Sequence, residues 1–451
     1  MKSGGFLSLL RANRNYRFAW VGQIVSEAGD NFNNVAVFSL ALANTHSGLV
    51  VAAVLLSRAA SMLPAGPIAG VLLDRMDRRR IMILSDLVRA VIALCFIFAI
   101  PLGRTWLLYL LSGMLMFASP FFTSGRASIL PTIATRDELH TANSLTQLTQ
   151  WTAQAIGSFF GGVMVLGGYH LAFGFNAFSF LFSAACIWQL RVPGGFHARR
   201  AERLQAARAP EDAAPEADAR EPLTEDRIMR PWHEYMEGLR YMRATPLIFG
   251  IGLISVGWAT GGGAAQILLS LFGDVVFRRG SIGIGAMWGS AGSGLILGAI
   301  VAHRIFPRLS YSAYKITISV CYILHGLFFL LFSLSPSFAA GIICIGLSRA
   351  AVGVTSVSNS SQLLRHVGHE FRGRVFSTIE TWTWMTMMVS MSVAGWASDH
   401  TSPRVIGAVA AVFSTSTAFW WGWANYAGKL PEPALDGVDP AEIEVHGEPA
   451  A

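Results

Sequence analysis

Four polar residues stand in an otherwise apolar stretch near the start of the chain: Glu27, Asp30, Asn31 and Asn34. Spacings of three, four and seven put them on one face of a helix. Asp30 lies about 12 residues, roughly 18 Å, from the inner end of that stretch. A carboxylate at such depth is tolerated only when paired or wet. Its proton occupancy then follows the exposure of the cavity it borders, which is what proton coupling requires. Asp30 is therefore read as a proton carrier or a contact for a cationic substrate, with Glu27 next. The alternative is a carboxylate permanently paired with an arginine and only structural.

Further charges lie deep in apolar stretches. Arg58 is about ten residues, roughly 15 Å, from the outer end of the second stretch, and Arg349 sits at similar depth in the tenth. Either would neutralise Asp30 or meet an anionic substrate, or hold a structural ion pair. Glu380, one turn after Ser377 in the eleventh stretch, is a second coupling candidate. Asn143, Gln147, Gln150 and Gln154 recur at four and three residues. A polar stripe on a membrane helix must face protein or water, so this one is expected on a cavity wall or in helix–helix hydrogen bonds. Asp86 and Arg89, one turn apart, read as a local pair bracing the loop before them. Arg126 reads as a brace near the cytoplasmic end of the fourth stretch. Trp382, Trp384, Met385, Met387 and Met388 suit a bulky apolar substrate or lipid. Gly261, Gly262 and Gly263 make either a hinge or a close contact.

The elements that position these groups follow from composition. The chain has 451 residues, 53% of them hydrophobic and 14% charged, with a mean hydropathy of +0.47. A soluble domain carries nearer a quarter charged residues, so the apolar surface is expected to meet lipid. About 20 apolar residues cross a bilayer. On that scale spans fall near 18–43, 48–73, 80–101, 105–126, 143–167, 170–190, 246–272, 281–303, 313–334, 337–362, 375–398 and 403–426. One set of loops holds Arg75, Arg78, Arg79, Arg80, Arg136, Arg304, Arg308, Arg365, Arg372 and Arg374; the other holds only Arg104, Arg278, Arg279 and Arg404. That asymmetry puts both termini in the cytoplasm. It also accounts for the net charge of +7 without nucleic acid. Cys95, Cys186, Cys321 and Cys344 fall far apart inside apolar stretches, with no zinc or redox spacing.

The expected class is an all-α membrane protein of twelve transmembrane helices in two pseudo-symmetric six-helix bundles. The N-terminal bundle is placed at 1–193 and a flexible cytoplasmic linker, rich in Ala, Arg, Glu and Pro, at 194–231. The segment 232–427 holds the C-terminal bundle. It is headed by an amphipathic helix through Trp232, Tyr235, Met236, Leu239, Tyr241 and Met242 that is expected to lie on the inner leaflet. An acidic, disordered tail is expected at 428–451. The halves show weak similarity: RDELHTANSL and GHEFRGRVFS align Glu138 with Glu370. Two parallel halves around a midplane site are a transporter architecture.

Between the second and third spans the chain reads Gly70, then Asp74, Arg75, Asp77, Arg78, Arg79 and Arg80. This resembles the signature loop G-x-x-x-D-R-x-G-R-[RK] of the major facilitator superfamily, except that Asp77 stands where Gly is commonest. Stretches 126–145, 234–246 and 365–377 look like its drug:proton antiporter branch, which includes enterobactin and macrolide exporters. The resemblance covers the whole chain except the linker and tail. Gly70, Asp74, Arg75 and Arg78 of that loop are expected to form a cytoplasmic gate, with Gly70 allowing helices to approach closely, and Asp86, Arg89 and Arg126 are read by position as bracing it. Gly157-Ser158-Phe-Phe-Gly161-Gly162 resembles the antiporter motif G-P-x-x-G-G with Ser158 in place of Pro. It makes either a kinked helix or a small-residue contact.

No Walker loop, H-E-x-x-H or G-x-S-x-G sequence occurs, so neither an enzyme nor a cofactor or metal site is expected. The eleven histidines are scattered, mostly in loops. The resulting expectation is a monomeric, multi-pass exporter in a bacterial inner membrane, moving an amphipathic small molecule out in exchange for protons. Three rivals remain: a lysophospholipid-type flippase of the same fold, an importer, and a membrane receptor or assembly subunit that does not transport.

Overall fold

The computed structural model describes residues 6–101, 104–191, 231–306 and 309–433. The expected linker falls outside them but for its last residue, as does the tail beyond 433. All regular structure among the described residues is helical. In chain order the helices are α1 Phe6–Ala12, α2 Arg14–Thr45, α3 Gly48–Arg75, α4 Arg78–Cys95, α5 Thr105–Ile133, α6 Arg136–Leu166, α7 Tyr169–Trp188, α8 Pro231–Ala244, α9 Pro246–Leu271, α10 Gly280–Ile305, α11 Tyr311–Leu334, α12 Phe338–His366, α13 His369–Ser398 and α14 Pro403–Tyr426.

Every helix but α1 and α8 is long enough to cross a bilayer. Among the described residues nine are also apolar enough; α2, α6 and α13 are not. Those three carry Glu27 and Asp30, the glutamine stripe, and Glu380 respectively. A helix long enough to span thus stands at each of the twelve positions read from the sequence, and the three polar ones carry residues to which chemistry was assigned.

Helix starts follow local capping chemistry. Ser310, Ser337 and Ser402 accept from backbone N–H groups of the first turns of α11, α12 and α14. Thr135 and Glu138 form a capping box at the start of α6. Asp77 accepts from the Arg79 N–H at 2.9 Å and caps α4. That role explains its place in the signature loop, because glycine has no side chain with which to accept.

The chain divides into two compact units. The first holds Met1–Leu40 and Val54–Met229; the second holds Ala41–Ala53 and Arg230–Ala451.

In unit 1, α4 shows how these helices are sided. Leu84, Leu87, Val88, Val91 and Leu94 are exposed at helical intervals, while Ser85, Asp86 and Arg89 on the opposite face are buried. An outward apolar face over a polar interior is the pattern lipid imposes. Gly157 and Gly161 of α6 meet α2: a Cβ on either would lie 3.0 Å from Asn31 Cβ or Phe32 Cα. The motif thus makes the small-residue contact within a continuous helix.

In unit 2, α10 and α12 touch backbone to backbone. A Cβ on Gly294 or Gly298 would strike the Gly346 and Ala350 carbonyls. Gly261 and Gly263 press on the Ala410 and Met387 backbones inside a continuous α9, which makes them contacts and not a hinge. Helix α8 packs on the helices of unit 2. Met242 is fully buried, Tyr241 stacks on Phe371 at 4.5 Å, and Glu237 pairs with Arg374 at 2.8 Å. Its apolar face is covered by α9 and α13. The segment after α14 also begins inside the fold, with Leu430 buried and its carbonyl accepting from Tyr311 and Lys315.

Candidate functional site

The acidic face of α2 is built as a graded set of contacts within unit 1. Glu27 Oε1 accepts from Gln150 Nε2 of α6 at 3.4 Å and lies 4.0 Å from Arg126 Nη1 of α5. The Asn31 amide donates to the Glu27 carbonyl at 2.8 Å and accepts from the Ser158 hydroxyl at 3.3 Å. Asn34 accepts from Arg58 Nη1 of α3 at 2.7 Å. Arg58 is buried, with its guanidinium 5.4 Å from the Phe38 ring. Asp30, between these two sets, is half-buried. It has no hydrogen bond and no ion pair within 4 Å among the described residues. Yet Arg89, Arg58, Glu27 and Asp86 are all close enough to act on its charge.

This arrangement sorts three acids into three conditions. Glu27 is hydrogen-bonded and near a cation, Asp86 is bonded to Arg89, and Asp30 is unpaired between cations that are already committed elsewhere. Of the three, Asp30 has the fewest bonds to lose on gaining a proton.

Between α2 and α6 lies a groove of about 440 Å³ lined by residues including Trp20, Ile24, Phe32, Leu148, Ile156 and Phe160, with none of Glu27, Asp30, Asn31 or Asn34 among its lining residues. Its walls are almost wholly apolar. Such a groove suits the apolar part of a ligand.

A family model described as Major Facilitator Superfamily matches residues 19–378, spanning the signature loop and the acidic face of α2. The chain belongs to that superfamily. This superfamily member is a multi-pass membrane transporter and not an enzyme. It is 25% identical over 405 residues to the uncharacterized MFS-type transporter YfiS of Bacillus subtilis (strain 168), covering 86% of this chain and 87% of that one. It is 23% identical over 375 residues to the enterobactin exporter EntS of Escherichia coli O127:H6 (strain E2348/69 / EPEC), covering 82% of each. Its fold matches the crystal structure of a bacterial homologue of the iron transporter ferroportin in an inward-facing state. The TM-score is 0.65 at 14% identity, over 90% of this chain and 98% of that one.

Other expected residues of this superfamily member are placed less tightly. Asn143 and Gln147 are exposed on α6, Gln154 is half-buried, and only Gln150 reaches the acidic face. Arg349 is buried in α12 of unit 2, with no acid within 4 Å among the described residues. Glu380 is exposed on α13, likewise without a partner there. Trp382 bonds Tyr235 of α8 at 3.1 Å and Met387 is buried, so both serve packing; Trp384 and Met385 are exposed.

The signature loop divides likewise. Arg78 donates to the Ser128 carbonyl at 2.9 Å. Arg79, which spacing did not single out, donates to the Ile187 and Trp188 carbonyls at the end of α7. Arg75 is exposed, and the Asp74 side chain lies outside the described residues. The close approach expected at Gly70 is corrected: a Cβ there would meet nothing within 4 Å. Asp86 and Arg89 form the expected local pair. They are buried in the interior, with the guanidinium between the Phe122 and Phe180 rings. Sequence reasoning also missed Asn33, fully buried on the other face of α2, and His325. That histidine is not in a loop but buried in α11, within 2.7 Å of Ser348 and 3.0 Å of Ser414.

Proposed function

We propose that this transporter exports an amphipathic small molecule, drug-like or siderophore-like, in exchange for protons by alternating access. The observation carrying that reading is Asp30, half-buried and unpaired between Glu27 and the Arg58–Asn34 bond. A carboxylate kept in a membrane helix without an ion pair needs water or a ligand in at least one state. Export is supported by the similarity to the enterobactin exporter, and an amphipathic substrate by the apolar groove between α6 and α2, the helix that also carries the acidic face. In the cycle, outward exposure protonates Asp30 and releases substrate; inward exposure removes the proton and readmits substrate. The Gly70–Arg80 loop serves the inner gate, Glu380 and Arg349 contribute from the second unit, and both termini face the cytoplasm of a bacterial inner membrane. The protein works as a monomer.

The test is a substrate screen in proteoliposomes under an imposed pH gradient, comparing the parent with Asp30→Asn. Loss of gradient-driven flux in the variant is expected. Equal flux in both would remove Asp30 from the mechanism. The same groove would fit an acyl chain, which favours a lysophospholipid-type flippase as second reading. That reading predicts lipid movement without any proton requirement.

A further inference from the structure

Among the described residues three arginines are buried, and they differ in what they meet. Arg58 bonds Asn34 and faces the Phe38 ring, and Arg89 bonds Asp86 between the Phe122 and Phe180 rings. Arg349 of α12 is only 7% exposed, yet it makes no hydrogen bond, ion pair or ring contact among the described residues. Unit 2 also has no buried carboxylate among them: Glu237 and Asp274 are half-buried, and Glu380, Asp399 and Glu432 are exposed. A guanidinium keeps its charge in a protein, and a buried charge without a counter-charge is costly. The interior of unit 2 thus holds one cation and no described acid to neutralise it.

Packing, not charge, holds Arg349 in place. Gly294 of α10 comes so near that a Cβ on it would lie 3.0 Å from Arg349 Cβ. The preceding residue, Ser348, meets His325 Nδ1 of α11 at 2.7 Å and donates to the His325 carbonyl at 3.1 Å. His325 Nε2 in turn lies 3.0 Å from the Ser414 hydroxyl of α14. These bonds tie three helices together beside Arg349, and none of them brings a negative charge. Arg349 stands about 17 Å inward from the Phe338 end of α12. At about 100° per residue, Ser356 and Ser360 fall within about 20° of it around the helix, and both are exposed. Ile343 and Leu347, the exposed large apolar residues of the outer half, fall more than about 100° away. Exposed hydroxyls on a membrane helix border water or protein, not lipid. The face of α12 that carries Arg349 is therefore a wet one, turned from the lipid side.

We infer that Arg349 anchors an oxyanion-binding subsite, and that the exported molecule brings a single negative charge to it as a carboxylate or a phosphodiester. A guanidinium presents parallel N–H donors that match two oxygens of one anion. Water would solvate this cation without neutralising it, whereas an anion does both. One lone cation balances one negative charge, so a doubly charged phosphate monoester would be the poorer ligand. The same chemistry has two sources: a carboxylate on a water-soluble amphipath, or the headgroup of a single-chain lipid. The inference rests on the reading of the chain as an exporter of an amphipathic molecule.

The test is thermal unfolding of the purified full chain in detergent at neutral pH, titrated with naphthoate, its uncharged counterpart naphthamide, and lysophosphatidylglycerol, whose headgroup is a singly charged phosphodiester. The parent, Arg349→Gln and Arg349→Lys are compared. At least one of the two anions is expected to raise the melting temperature of the parent saturably, and naphthamide is not. Apparent affinity should fall about tenfold or more in Arg349→Gln. It should fall less in Arg349→Lys, which keeps the charge and loses the paired donors. A response to naphthoate alone assigns the subsite to a soluble amphipath, and one to lysophosphatidylglycerol alone assigns it to a lipid headgroup. Without probe, Arg349→Gln should be at least as stable as the parent, because the charge it removes has no partner. Three results would overturn the inference: no response of the parent to either anion, equal affinity in the parent and Arg349→Gln, or a probe-free Arg349→Gln that is much less stable or fails to fold. Anion binding through Arg349 without gradient-driven export would sink the exporter reading alone. Gradient-driven export by Arg349→Gln at the rate of the parent would sink this inference alone.

Discussion

Arg58 Nη1 donates to the side-chain oxygen of Asn34 at 2.7 Å, while its other terminal nitrogen, Nη2, is buried without a partner. The asparagine, not the acid one turn before it, holds the arginine in place. Asp30 therefore has a cation near it without being locked to it, which is the condition for a carboxylate that must gain and lose a proton.

Removing that cation should impair coupling more than removing its anchor. A charged hydrogen bond contributes about 1.5–3 kcal/mol, on the order of tenfold or more in rate. Arg58→Met is expected to lower gradient-driven flux in proteoliposomes by at least that order, and Asn34→Ala by only several-fold. Arg58→Met with undiminished flux would mean that Asp30 works without this arginine.

Breaking the Asp86–Arg89 pair from one side should be severe. Arg89→Leu leaves a fully buried carboxylate unpaired, and such losses run to about 3–5 kcal/mol. Thermal unfolding in detergent should show a large drop for Arg89→Leu that Asp86→Asn combined with Arg89→Met partly restores. A single variant as stable as the parent would show that the carboxylate does not need its cation.

The cap at Asp77 makes a smaller, local claim. Asp77→Ala removes the acceptor for the Arg79 N–H and should destabilise the protein by about 1 kcal/mol, whereas Asp77→Ser should be nearly neutral. Unfolding curves in which alanine and serine behave alike would rule out the capping role.

Two glycines should respond in opposite ways. Gly161→Val pushes into the α2 backbone beside Phe32, and overpacking of this kind costs about 1–3 kcal/mol. Gly70→Ala meets open space and gains helix propensity, worth up to about 1 kcal/mol. Reversal of that order in thermal unfolding would mean that the α2–α6 contact is looser than the 3.0 Å approach indicates.

Twelve helices and the polar face of α2 could be read from spacing because a bilayer admits few alternatives. Backbone groups must bond within the segment, and each span must be about 20 residues of mostly apolar character. The same rule marked Asp30, Arg58 and Glu380 as anomalies worth attention. Partnership was not legible in this way. Asp86 and Arg89 sit two turns after the signature loop, and their spacing fits a brace for it as well as a buried pair between Phe122 and Phe180. Asp77 read as a departure from a motif because capping is visible only once the Arg79 N–H is placed beside it.

Hydropathy and residue spacing thus settled which segments cross the membrane, and marked Glu27 and Asp30 on one helical face. Side-chain directions around a helix axis are periodic, and periodicity survives in one dimension. Which groups meet across helices is another matter. It depends on how α2, α4, α6 and α7 close on one another at Gly22, Gly29, Gly157 and Gly161. Only that packing left Asp30 unpaired, gave Arg58 to Asn34, and buried Asp86 with one oxygen unbonded. Those outcomes depend on ångström-scale approach between separate helices, which no local pattern encodes.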